Sequence, residues 1–255
     1  MIKKNLFQVN GQIGRTATFV STDDEIALDI STLHRSHSKT PKLSLEVLYE
    51  DDYLAVINKP AGILVSGNKF VTVANALSQN LSYSNQIDAC RPYPIHRLDY
   101  GTTGTLLVGK TTKSIRTLSQ LFADKLILKE YYAITIDEMQ QLSGIIETQE
   151  ELKVLSSNFE VIDTVKSHRF NMLNLLKLQP TTGKRHQLRK HMAHIGNPIL
   201  GDQDYGKKGL ILNGKGMYLH AFSIRLTHPI TEEELNICAP IPKKFRKIFP
   251  QINEG

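Results

Sequence analysis

His96-Arg97-Leu98-Asp99-Tyr100-Gly101-Thr102-Thr103-Gly104 runs straight into Thr105-Leu106-Leu107-Val108. The first stretch is mostly polar and carries two glycines; the second is almost wholly apolar. That change of texture marks a loop feeding a buried strand. Glycine lets the backbone take positive φ and lets a ligand come close. Asp99 therefore sits in a compact loop at the mouth of a strand, two residues after Arg97. Such a carboxylate suits chemistry beside a polyanionic substrate, and it equally suits the capping of an ordinary turn. The run alone leaves both open. It also carries a trap: Gly104-Thr105-Leu106-Leu107-Val108-Gly109-Lys110-Thr111 fits the phosphate-loop expression GxxxxGK[ST]. A phosphate loop needs a strand before it and a flexible turn inside it. Here polar loop comes first and the residues between the glycines are strand-like, so a P-loop nucleotide hydrolase is only a remote alternative.

Working outward, Val47-Leu48-Tyr49 and Leu54-Ala55-Val56-Ile57 flank the turn Glu50-Asp51-Asp52 and read as a hairpin. Ile115, Leu118, Leu121 and Phe122 recur at helical spacing behind the caps Thr111 and Thr112. Leu126-Ile127-Leu128, residues 131–136 and residues 170–178 read as strands. A helix is predicted from near Lys184 to Ile195, with Gly196 as its C-cap and Pro198 as its stop. Strands outnumber helices and hairpins are frequent. The expected class is α+β, with a mostly antiparallel mixed β-sheet flanked by helices. Residues 1–40 read as a separate β-rich segment, with strands near Phe7–Gln12 and Ile26–Ile30 and a basic linker over His34–Lys42. Residues 41–255 form the main domain.

Composition narrows the class. With 255 residues, 40% hydrophobic and 22% charged, the chain has room for one large domain and an appendage. A formal net charge of +6 favours polyanionic partners, nucleic acid first. The two cysteines, Cys90 and Cys238, form no CxxC pair and read as free thiols in a reducing compartment. No apolar run approaches the roughly 20 residues that span a bilayer, and Met1-Ile2-Lys3-Lys4-Asn5 has no apolar core behind it. The expectation is a soluble cytoplasmic protein with no membrane contact. His186, His191 and His194 lack the cysteines or clustered carboxylates of a metal site, so none is predicted.

Further motifs stand in order around the opening run: Asn58-Lys59-Pro60-Ala61-Gly62, then Lys129-Glu130-Tyr131-Tyr132-Ala133, then Thr182-Gly183-Lys184-Arg185-His186-Gln187-Leu188-Arg189, then Gly196-Asn197-Pro198-Ile199-Leu200-Gly201-Asp202. Together they resemble the RluA-type family of RNA pseudouridine synthases, whose signatures run approximately NKPAG, HRLDxxTSG, KxYxA, TGRxHQxR and GxPxxGDxxYG. The resemblance covers residues 45 to 229. Val9-Asn10-Gly11 with Asp24-Glu25-Ile26 also resembles the rear half of an S4 RNA-binding module, without its helical first half, so residues 1–40 read as an S4-like remnant.

The resemblance implies a pseudouridine synthase catalytic domain that isomerises uridines in structured RNA, large-subunit ribosomal RNA or else transfer RNA. The bond from ribose C1′ to uracil N1 breaks, the base turns, and C1′ rejoins at C5. No atom is gained or lost, so no cofactor or metal is implied, and a monomer suffices. Breaking that bond develops positive charge on the sugar, which a carboxylate stabilises or attacks. The resemblance assigns that carboxylate to Asp99. It assigns Arg189 as the cation that keeps Asp99 ionised; read on its own, Arg189 borders the apolar helical stripe Leu188, Met192 and Ile195, and a solvated surface arginine fits equally. On a strand, Tyr131 and Tyr132 point to opposite faces, and either one alone passes for a core tyrosine. The resemblance selects Tyr131 to stack on the uracil, with a role as base in view. It implies that Arg97 fills the space left by the flipped uridine, that His96 positions the loop, and that His96, Lys59, Lys184, Arg185 and His186 meet the RNA. Tyr100 stands where the family usually has Arg, and Lys184-Arg185 where it has Arg-Thr or Arg-Ser, which bears on how RNA is gripped rather than on the chemistry. The competing class is a catalytically silent RNA-binding or ribosome-assembly factor on the same fold.

Overall fold

A computed structural model describes residues 7–28, 41–151, 153–212 and 214–252. The linker read over 34–42 lies outside them except for its last two residues. The chain divides into two compact units, 1–40 and 41–255.

The first unit is a small antiparallel sheet of β1 (Phe7–Val9), β2 (Gln12–Ile13) and β3 (Ile26–Leu28), with β1 in the middle. Asn10 and Gly11 make its two-residue hairpin at φ 50° and 76°, the left-handed values that suit an Asn-Gly pair. The Asn10 amide then clips the loop ahead of β3, donating to Asp24 and accepting from the Glu25 N–H, each at 2.8 Å.

In the second unit the elements run β4 (Glu46–Glu50), β5 (Leu54–Lys59), α1 (Val73–Asn80), β6 (Ala89–Pro94), β7 (Thr103–Thr111), α2 (Thr112–Ala123), β8 (Leu128–Ile136), β9 (Ser143–Glu150), β10 (Lys153–Ser167), β11 (Asn171–Pro180), α3 (Gln187–His194), β12 (Leu219–Thr227), β13 (Glu234–Cys238) and α4 (Lys243–Arg246). Among the described residues the strands form one sheet, ordered β4-β5-β7-β12-β8-β11-β10-β9, with β6 beside β7 and β13 beside β12. Neighbours are antiparallel except β7 and β12, which run parallel where Thr103 and Gly104 face His220 and Ala221. The α+β class with a mostly antiparallel mixed sheet and flanking helices is what the structure shows.

β7 explains the texture of the opening run. It is buried on both faces, as a continuous apolar run requires. Leu106 and Val108 pack with Val73, Ala76 and Leu77 of α1 on one face. Leu107 packs with Leu118 of α2 on the other. Thr111 caps α2 by accepting from the Ser114 N–H, and Ser114 answers by accepting from the Thr111 N–H. The phosphate-loop match lies inside this strand. Its lysine, Lys110, is buried and ion-paired to Glu50 at 2.7 Å, so no phosphate cradle exists there and the hydrolase alternative falls.

Two local expectations need correction, and one element is new. Leu126 and Ile127 precede β8 rather than belonging to it, because the chain is still leaving α2 through a turn. The helix expected from Lys184 begins at Gln187, since His186 takes φ 58° and the Gln187 side chain accepts from the Lys184 N–H at 3.1 Å. α1 was not anticipated; it is short, and only Val73, Ala76 and Leu77 of it are buried. No helix among the described residues is long and apolar enough to cross a membrane.

Gly104 is where the two halves of the sheet meet. Its φ is +111°, and a Cβ there would stand 2.0 Å from the Ala221 carbonyl oxygen. Gly104→Ala is expected to lower stability by at least about 3 kcal/mol, through backbone strain and overpacking together. Gly183→Ala, with open space around it, is expected to stay within about 0.5 kcal/mol of the wild type. Urea unfolding of the two variants checks the contrast.

Candidate active site

The loop ahead of β7 is held from three sides. Lys59 is fully buried, and its ammonium donates to the carbonyls of Pro60 and Thr102 at 2.9 Å each and more weakly to that of Tyr100 at 3.4 Å. Gly62 N–H also donates to the Tyr100 carbonyl. Burial pushes the Lys59 amine down to about 8, with the charge of Asp99 opposing the shift. Lys59 was expected at the RNA; it is instead the tie between two loops, because its stem runs through the core and its three donors are spent on backbone. His96 is also corrected. Its Nε2 accepts the Leu107 N–H at 3.0 Å and its ring stacks on Phe122 at 4.7 Å. Burial drives its pKa down to about 3, so it carries no charge toward a phosphate. It holds the loop. Leu98 then points into the core, leaving Arg97 exposed and Asp99 half-buried beside a cleft of about 740 Å³.

Arg189 approaches Asp99 from α3. Its Nε and Nη2 donate to the two Asp202 oxygens at 2.7 and 2.6 Å, and Nη2 also reaches Asp204 at 2.6 Å. That fork leaves Nη1 facing Asp99 Oδ2 at 3.8 Å. Burial alone pulls the guanidinium down, but the hydrogen bonds of Asp202 and Asp204 more than reverse it, and Arg189 stays charged. The other Asp99 oxygen faces His186 Nε2 at 3.7 Å. Burial holds the His186 imidazole below its ordinary pKa, with Asp99 pulling the other way and Arg189 and Arg185 adding to the depression. Both approaches exceed hydrogen-bonding distance, so the carboxylate is electrostatically held while its lone pairs stay available.

Tyr131 lines the same cleft, and Tyr132 lies in the core behind the sheet against Phe222. Burial, with the negative charge of Asp99, pushes the Tyr131 phenol above its ordinary pKa. It therefore keeps its proton at neutral pH, which favours stacking over the role of base. Lys184, Arg185 and Arg97 complete the predicted rim, all exposed.

Several contributors were not singled out from the sequence. Lys125, Lys129 and Lys153 also line the cleft, and Asp99 is the one carboxylate among its described lining residues. Lys129 carried a usable signal, since positions two apart on a strand share a face and Tyr131 faces the cleft. Asp202 and Asp204, the anchors of Arg189, belong to the motif that follows α3. Gln187 is buried and donates to the Ser156 carbonyl and Ser157 hydroxyl of β10 at 3.0 and 2.9 Å, clamping the loop before α3.

Residues 53–194 match the RNA pseudouridylate synthase family. The chain belongs to that family. The ribosomal large subunit pseudouridine synthase C of Pasteurella multocida is 32% identical over 85% of this chain and 71% of its own length. The ribosomal large subunit pseudouridine synthase D of the same organism is 32% identical over 96% of this chain and 82% of its length. The solved human RNA pseudouridylate synthase domain containing 1 superposes with a TM-score of 0.65 at 22% identity, over 78% of this chain and 84% of that one. That likeness speaks to the fold. This pseudouridine synthase is an RNA-modifying isomerase, and the alternative of a catalytically silent assembly factor gives way.

Proposed function

We propose that this pseudouridine synthase modifies large-subunit ribosomal RNA, taking one flipped uridine at a time into the cleft. One observation carries the chemical part: a single carboxylate, Asp99, stands in a basic cleft with a guanidinium fixed at its back. The names of the similar bacterial enzymes support the ribosomal part.

Asp99 acts at ribose C1′ as the glycosidic bond breaks, attacking or stabilising the cationic sugar. Arg189 holds and aims that carboxylate, with its guanidinium 3.8 Å away. Tyr131 stacks on the uracil while it turns. Arg97, exposed at the rim, enters the space the uridine leaves, which offsets part of an unstacking cost of about a few kcal/mol. Lys184, Arg185 and His186 contact phosphates beside the target. The groups come from one chain, which supports a working monomer, and residues 1–40 serve as a small S4-like RNA-binding appendage. A cytoplasmic location follows from the substrate.

Mapping pseudouridine in ribosomal and transfer RNA from cells with and without the gene tests the reading. One or more large-subunit uridines should lose the modification and regain it with the wild-type gene but not with an Asp99 variant. An unchanged ribosomal map beside altered transfer RNA would overturn the ribosomal assignment.

A further inference from the structure

The cleft does not end at its own rim. A second groove of about 370 Å³ shares Lys125, Lys129, Pro180 and Thr181 with it. The floor of this groove belongs to the other face of the sheet. Side chains alternate along a strand, so Glu130 points away from Tyr131. Strand register then sets Ser223, Glu130, Gln179 and Asn158 in one cross-strand row on that opposite face. The two grooves meet as one trough at Lys125, Lys129, Pro180 and Thr181, near the start of β8 and the end of β11.

Its charge is unbalanced. Glu130 is answered by Lys177 at 3.4 Å and by the Gln179 amide at 3.1 Å. Lys125 and Arg225 are exposed along the trough, and among the described residues no carboxylate lies within ion-pair distance of either. Lys125 adds an independent observation. It occupies the turn that ends α2 at φ +61°, a left-handed position that glycine takes without strain. A lysine held there keeps an ammonium at the junction of the two grooves against the local backbone preference.

We propose that this trough carries the RNA strand flanking the target uridine out of the cleft and onto the opposite face of the sheet, with Lys125 and Arg225 each neutralising one phosphate. The inference rests on the cleft being an RNA site and extends its track to a surface outside the reacting centre.

Fluorescence anisotropy with labelled oligouridylates of about 5 and about 20 nucleotides tests it on the full chain. Lys125→Gly and Arg225→Ala should each weaken binding of the long probe about threefold to tenfold, and make the dependence of log K on log salt shallower by about 0.7. Binding of the short probe, which fills only the cleft, should not change in Arg225→Ala, whose side chain lines the second groove alone, and should weaken less than binding of the long probe in Lys125→Gly, whose side chain lines both. Lys125→Gly relieves the turn, so its urea midpoint should equal or exceed that of the wild type and unfolding cannot explain the loss. Lys166→Ala, an exposed position at the far end of β10, should alter neither probe. If both variants bind the long probe with wild-type affinity and slope, or weaken the two lengths equally, the trough is not the track. Should that happen while the wild type still makes pseudouridine, the cleft assignment survives alone. A wild type that binds neither probe sinks both.

Discussion

Asp99→Asn is expected to reduce single-turnover pseudouridine formation by more than about 1,000-fold, while RNA affinity holds or rises slightly. The two halves of that outcome have separate causes. An amide has nearly the size and polarity of the carboxylate but cannot ionise, so it offers neither a nucleophile nor a counter-charge to the ribose cation. Binding survives because, among the described lining residues, Asp99 is the one carboxylate beside Arg97, Lys129, Lys184 and Arg185. Removing it makes the cleft more positive toward phosphates. Folding survives as well, since Arg189 keeps both Asp202 and Asp204. Product would be read by chemical mapping of pseudouridine at saturating enzyme, and affinity by titration of the same RNA. Turnover near the wild-type rate would remove Asp99 from the chemistry. A parallel collapse of affinity would instead make it a structural residue of the RNA surface.

What could be read from the chain, and what could not, divides by the distance over which a residue acts. The strand at Thr105–Val108, the cap at Thr111 and the left-handed glycine, Gly196, just past α3 rest on neighbours within a few positions, and each is legible. The convergence of Asp99, Tyr131 and Arg189 spans the loop before β7, β8 and α3, so spacing alone could not supply it; the ordered motifs did. Lys59 shows the opposite failure. A lysine in a glycine-containing motif reads as a phosphate ligand, yet the fold buries its stem and spends its amine on the carbonyls of the next residue, Pro60, and of Thr102 in another loop. Arg189 illustrates the limit more finely. Its partnership with Asp99 was expected, but its strongest bonds go to Asp202 and Asp204, beyond the C-cap of its own helix. Nothing local to α3 announces them.

Those anchors decide the second large effect. Arg189→Met is expected to abolish product and to cost about 3–5 kcal/mol of stability, because the Asp202 carboxylate has no exposed surface and would be left buried without its partner. The double variant Arg189→Met with Asp202→Asn separates the two consequences. Neutralising Asp202 removes the stranded charge, so the urea midpoint should recover by at least half. Product should not recover, because no cation then faces Asp99 from α3. Arg189→Lys is an intermediate case: an ammonium restores charge, but a single point donor cannot bridge both Asp202 oxygens and still face Asp99. Partial stability with little turnover is the expected result. If Arg189→Met unfolded at the wild-type midpoint, the buried fork would not be what fixes this helix. If the double variant regained turnover along with stability, the guanidinium would act only as a scaffold, and Asp99 would have to hold its charge unaided.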